Sequence, residues 1–252
     1  MLRTRLPILA AAVIVFATAL AFALPASAIT PEEILKRVDD NDYLKSARIK
    51  ASMTITSGGR DVTKTYAGYI DGDRAMIEFT NARDRGTKYL KLNGELWMFF
   101  PDAEDVVKIS GHLLRQGMMG SDFSYEDALE SQKLTTLYQV KLVGEEKVDD
   151  RDTYVLELVA RPGAEVAYAK RKQWITKTEF VPVKAELYAQ SGKLLKVVTA
   201  GNIKRFGDRW FATEVVMENM LKKGSRTRMT VDSLEFGVTI PPETFSREAL
   251  RR

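Results

Sequence analysis

The chain has 252 residues, with 38 Lys plus Arg against 34 Asp plus Glu, one histidine and no cysteine. That length suits one all-β domain with a full core, or two small domains. The near balance of charge excludes a long-range field for nucleic acid, and the missing thiols exclude a disulfide scaffold and argue against a transition-metal site.

Residues 1–28 read as an export signal. Arg3 and Arg5 give a positive start, Ile8 to Leu24 is an unbroken apolar run, and Pro25 breaks it before Ala26, Ser27 and Ala28, a small-x-small cleavage pattern. The run approaches the length of a membrane anchor, but the proline and the small residues favour cleavage after Ala28. The mature chain is then residues 29–252, read as one domain in the periplasm. It would carry no lipid of its own, because no cysteine follows the site.

Thr30, Pro31 and Glu33 predict a helix start, with Thr30 as cap, Pro31 at the first helical position and Glu33 completing a capping box. Ile34, Leu35 and Val38 form its apolar stripe, and it ends near Asp39–Asp42. From Ile49 the period changes to two: Ile49, Ala51, Met53 and Ile55 alternate with polar residues, the pattern of a strand. Gly58-Gly59 and Asp71-Gly72-Asp73 turn the chain, and Asn93-Gly94 is a strong hairpin signal between strands near 86–92 and 95–100. After Val106, Val107 and Ile109 the rhythm breaks, and 110–135 reads as helix and loop. Strands resume near 137–145, 152–160, 170–178, 182–190, 193–201, 208–218 and 226–236. About a dozen short strands in series predict a large antiparallel meander, and a sheet this long must curl or close. The fold class is mainly β (α+β): a curved antiparallel sheet forming an incomplete barrel, covered by a few helices.

Catalytic constellations are missing. His112 is the one imidazole and has no nucleophile elbow with it; a surface or helix-start position suits it better. The acidic groups Asp39/Asp40/Asp42, Asp102/Glu104/Asp105 and Asp149/Asp150 lie in turn-like segments, where they act as solvated or turn-forming residues. Lys170-Arg171-Lys172 and Lys222-Lys223 flank strands and read as guards of sheet edges. The positive signal is apolar. Glu95-Leu96-Trp97-Met98-Phe99-Phe100 carries large groups on both faces, so each face needs something to touch. Gly117-Met118-Met119-Gly120 sets adaptable thioethers between glycines that permit motion. No cofactor or metal is expected.

The hairpin from Gly86 to Pro101, the segment from Leu114 to Asp127, the ending Gly237–Phe245 and the opening helix from Pro31 together resemble the LolA-like family of outer-membrane lipoprotein-sorting proteins. The resemblance implies a half-barrel with an apolar cavity for the acyl chains of a lipoprotein or lipid. It also implies an inner-membrane transporter and an outer-membrane receptor as partners, and no enzymatic activity. A lipid-sensing regulatory protein, or an accessory of an RND-type lipid exporter, are the alternatives within the same likeness. On that basis Met53, Ile55, Ile77, Phe79, Trp97 and Phe99 are expected as cavity wall. Leu113, Leu114, Met118 and Met119 are expected as lid, and Arg74 as the residue that holds it. A monomer that binds no nucleic acid is expected.

Overall fold

The computed structural model describes residues 29–130 and 133–252; the export signal read in residues 1–28 lies outside the described residues. Helix α1 (Pro31–Asp42) starts as its sequence dictates: Thr30 Oγ1 accepts from the Glu33 amide at 3.1 Å, and Pro31 sits in the first turn. The reciprocal half of the expected capping box is absent, because the Glu33 carboxylate turns instead to Arg37 one turn on.

Period-two alternation produces thirteen strands. They are β1 (Ala47–Ser57), β2 (Arg60–Asp71), β3 (Arg74–Phe79), β4 (Lys88–Leu92), β5 (Glu95–Phe100) and β6 (Asp105–Ile109), then β7 (Tyr138–Val148), β8 (Arg151–Ala160), β9 (Lys170–Thr176), β10 (Pro182–Tyr188), β11 (Leu194–Phe206), β12 (Arg209–Asn219) and β13 (Arg226–Phe236). All neighbours are antiparallel and form one sheet in the order β6-β5-β4-β3-β2-β1-β13-β12-β11-β10-β9-β8-β7. The seam is the β1–β13 pair, which joins the two ends of the described chain; β6 and β7 are the two free edges, and the barrel is not closed. At Asn93-Gly94 both residues have positive φ, 54° and 73°, as the tight two-residue turn between β4 and β5 requires. Extra residues bulge the ladder at Lys50/Ala51, Leu142/Gly144 and Leu187/Tyr188. Each adds local bend and twist, which helps the sheet to curl.

The two halves of the concave face are covered separately. Over β7–β9, α1 buries Ile34, Leu35 and Val38 completely against Tyr138, Leu156, Leu158 and Ile175. Over β1–β5, the connection between β6 and β7 packs Leu113, Leu114, Met118 and Met119 against Met53, Ile55, Phe79 and Tyr89. This connection holds two 3-10 turns, Gly111–Arg115 and Met118–Gly120, and the short helices α2 (Tyr125–Leu129) and α3 (Leu134–Leu137).

The convex face of β3–β5 has its own cover. Phe245 and Leu250, from 3-10 turns at Pro242–Phe245 and Ala249–Arg251, pack on Met76 and Leu90, with Trp97 and Phe99 in the same cluster. This accounts for the doubly apolar strand Glu95–Phe100: Leu96 and Met98 face the concave core, while Trp97 and Phe99 face the C-terminal segment. Arg171 does not guard an edge. It lies in β9, flanked by β8 and β10, and is buried.

Candidate functional site

Between the two covers the concave face stays open as a cavity of about 680 Å³. One wall comes from the first half of the sheet, with Ile49, Ile77, Phe79 and Tyr89. The other comes from the second half, with Val198 on β11, Val215 and Met217 on β12, and Met229 and Val231 on β13. A line of rings runs along the first wall and up onto the cover: Tyr66–Phe79, Phe79–Tyr89 and Tyr89–Tyr125 have centroids 5.7, 5.8 and 5.9 Å apart. Such tilted and edge-on pairs add to the area they bury.

The expected wall residues divide three ways. Ile77 and Phe79 line the cavity. Met53 and Ile55 share the concave face but lie under the cover, fully or almost fully buried in the core. Trp97 and Phe99 lie on the convex face, because alternation turns them away from Leu96 and Met98; they are not wall residues. Sequence reasoning missed the whole second wall; Phe211, Thr213, Val215 and Met217 line it at period two, but Ala212 and Val216 between them blur the alternation that is plain in β1.

The expected lid residues Leu113, Leu114, Met118 and Met119 all pack onto the concave core, and Met118 also lines the cavity. The reason for Gly117 differs from the expected one. A Cβ there would run into the Ser121 carbonyl oxygen. The loop doubles back tightly, with the Met118 amide bonded to Phe123 O at 2.7 Å and the Ser121 amide to Met118 O at 3.0 Å. Gly117 is thus required for close approach rather than for motion. Asp122 pins the loop to the start of β13: it is buried and accepts from Ser225 Oγ at 2.6 Å and Thr227 Oγ1 at 2.8 Å. Arg74 does not hold the lid. It pairs with Asp71 and stacks over Phe245 at 4.8 Å on the convex side.

What holds the cover is α2 and the residue after it. Asp127 closes a capping box with Ser124 and also accepts from Tyr168 Oη at 2.7 Å and Lys196 Nζ at 2.7 Å. Glu130 receives the Arg171 guanidinium, whose Nε donates to Tyr138 Oη at 2.9 Å. Burial works against the Arg171 charge, but Glu130 overrides it with help from Tyr138, so the guanidinium pKa is raised. On the opposite wall Lys91 Nζ donates to Ala128 O at 2.9 Å. The cover is therefore a strap tied to β4 on one side and to β9 and β11 on the other.

Of the acidic residues at the end of α1, Asp40 and Asp42 are exposed, as expected of a solvated cluster, and Asp39 is not. Asp39 is buried and accepts from the amides of Leu134 and Thr135 at 2.8 and 3.0 Å, so it starts α3. Asp42 lines the cavity. It is exposed on the cavity side, and the desolvating concave surroundings, with the Asp39 charge second, push its pKa up to about 7. An unfolded Asp titrates near ~3.9, so the folded state holds this proton more tightly. The penalty of ionising Asp42 thus develops as pH rises from about 4 and is complete above about 7. Asp42→Asn is expected to raise the melting temperature relative to wild type at pH 8, with the gain shrinking toward pH 5. An identical gain at both pH values would show that Asp42 does not titrate in that window. His112 is exposed and away from the cavity.

A curled sheet whose concave face holds an apolar hollow under a strap is the architecture of a binding half-barrel. A family model described as "-like: Uncharacterized protein" matches residues 71–252. A DUF1329 family protein from Desulfovibrio piger is 27% identical, covering 88% of this chain and 100% of its own, with a TM-score of 0.80. A domain assigned to outer-membrane lipoprotein sorting from Vibrio parahaemolyticus is 25% identical over 88% of this chain and 98% of its own, with a TM-score of 0.76. A LolA superfamily protein from Nitrosomonas europaea shares the fold, at 24% identity, 88% and 100% coverage, and a TM-score of 0.73. No curated protein matches the sequence. The chain belongs to the family that matches residues 71–252, and its fold is LolA-like.

Proposed function

We propose that this protein is a periplasmic carrier that shelters acyl chains of a lipid or lipoprotein and hands them on toward the outer membrane. The observation that carries this reading is the 680 Å³ cavity, with apolar walls from both halves of the sheet and a methionine-bearing cover. The volume falls within the ~300–1,000 Å³ of ligand-binding cavities. Burial of a chain in transit gains about 0.8 kcal/mol per CH₂, so an apolar shelter is what transfer through water needs. The likeness to a domain assigned to outer-membrane lipoprotein sorting agrees with that role. In this reading the donor is a transporter of the inner membrane and the acceptor a receptor of the outer one. The export signal in residues 1–28 agrees with the compartment.

The activity is binding and release rather than turnover. The cavity walls are apolar, and most of the charged groups at its margin are engaged in holding the strap or in starting α3. Mass spectrometry of lipids extracted from gently purified protein tests the reading. Stoichiometric acylated species are expected; protein that is lipid-free and also fails to bind an acyl probe would overturn it.

A further inference from the structure

The charged side chains around the cavity are nearly all engaged with one another. Asp127 takes Lys196, Glu130 takes Arg171, Lys133 takes Asp40, and Asp39 is used by the amides of α3. Lys91 is the exception among the cations. It is 9% exposed, lines the cavity from β4, and pairs with no carboxylate among the described residues. An ammonium has three N–H donors, and among the described residues it finds one acceptor, the Ala128 carbonyl oxygen. A buried charge without a counter-ion is costly; burial lowers the Lys91 pKa to about 8 against the weaker pull of Asp73 and Glu130.

A second group in the same cavity is also incomplete. Gln173 is 5% exposed, lines the cavity from β9, and its Oε1 atom is buried without a hydrogen-bond partner among the described residues. Lys91 and Gln173 lie on opposite walls, and both belong to strands that tie the strap: Lys91 itself holds Ala128 O, and Arg171, two residues before Gln173 on the same face of β9, holds Glu130. Among the described residues the cavity therefore has apolar walls and, near the strap, one spare cation and one spare acceptor.

We propose that the cargo is a free anionic lipid, its charged headgroup set against Lys91 and a headgroup hydroxyl or amide donating to Gln173 Oε1. This rests on the acyl-cavity reading above and narrows it. The acyl groups of a lipoprotein terminus hang from ester and amide linkages, which carry no charge for Lys91. A phospholipid phosphate and a fatty-acid carboxylate both supply the anion; of the two, the phospholipid headgroup alone can also carry a donor for Gln173 Oε1.

The test compares a dansylated undecanoic acid with its methyl ester by fluorescence titration on wild type, Lys91→Met and Lys91→Gln. Wild type is expected to bind the acid at least about tenfold more tightly than the ester. In Lys91→Met the ratio of acid to ester affinity should fall to about one, whatever change in affinity the two probes share through the lost strap tie to Ala128 O. Lys91→Gln keeps a donor for Ala128 O and gives the same reading if the methionine variant does not fold. Displacement by lysophosphatidylglycerol against displacement by oleate then separates phosphate from carboxylate. Equal affinity of wild type for acid and ester, or an undiminished preference in the variants, overturns the proposal. Failure of wild type to bind either probe overturns the acyl-cavity reading itself.

Discussion

Phe79→Asp is expected to destroy the fold, while Met118→Asp should leave it intact and empty the cavity. Both side chains line the same hollow, and the difference lies in what each is fixed to. Phe79 is 1% exposed at the end of β3, wedged between the rings of Tyr66 and Tyr89. An ionised carboxylate there has no partner and no water. The cost should be about 4 kcal/mol or more, among the largest single-site effects. Met118 is half-buried on the cover, outside the ladder of the sheet. A carboxylate there can reach water by a local shift of the loop. Circular dichroism should show Met118→Asp folded, with its affinity for an acyl probe down at least about tenfold, or ~1.4 kcal/mol. Wild-type affinity in a well-folded Met118→Asp would remove this methionine from the binding surface.

Arg171→Met should lower the melting temperature by about 6–12 °C, the equivalent of ~3 kcal/mol in a domain of this size. The substitution leaves the Glu130 carboxylate without its cation in a site where both side chains are largely buried. It also takes one bond from the Tyr138 hydroxyl, which continues to donate to Tyr168 O at 2.9 Å. The double variant Arg171→Met/Glu130→Met should recover most of the loss, because replacing both members of a buried pair by apolar groups is often close to neutral. Thermal melts of the two variants decide this. A double variant no more stable than the single one would mean that the strap is held at that point by something other than the pair.

The strands were legible because each is half-buried and its alternation survives translation into structure. The β4–β5 hairpin announced itself through Asn93-Gly94, and α1 through Thr30, Pro31 and its buried stripe. The doubly apolar strand Glu95–Phe100 correctly signalled two coverings. It could not say which face met which, since a period of two carries no direction, and so Trp97 and Phe99 were expected on the wrong side. The ties of the strap were not legible at all. Glu130 meets Arg171 across 41 positions, Asp127 meets Lys196 across 69, and Asp122 meets Thr227 across 105. Nothing local distinguishes such residues from solvated charges until the sheet brings them together. Lys91 and Gln173 hide for the same reason, as polar residues in strands that read like any others with charged side chains.

The order of the strands constrains how such a cover can move. Because β6 and β7 are the two free edges and are consecutive in the chain, the connection between them must bridge from one rim of the hollow to the other. It has the mechanics of a bucket handle and not of a door. Both ends are sewn to the backbone of opposite rims, so it can roll or bow but cannot swing clear about a single hinge. Passage must then occur beside the handle, along one of its two flanks, and any change in the spread of the rims is felt directly along its length.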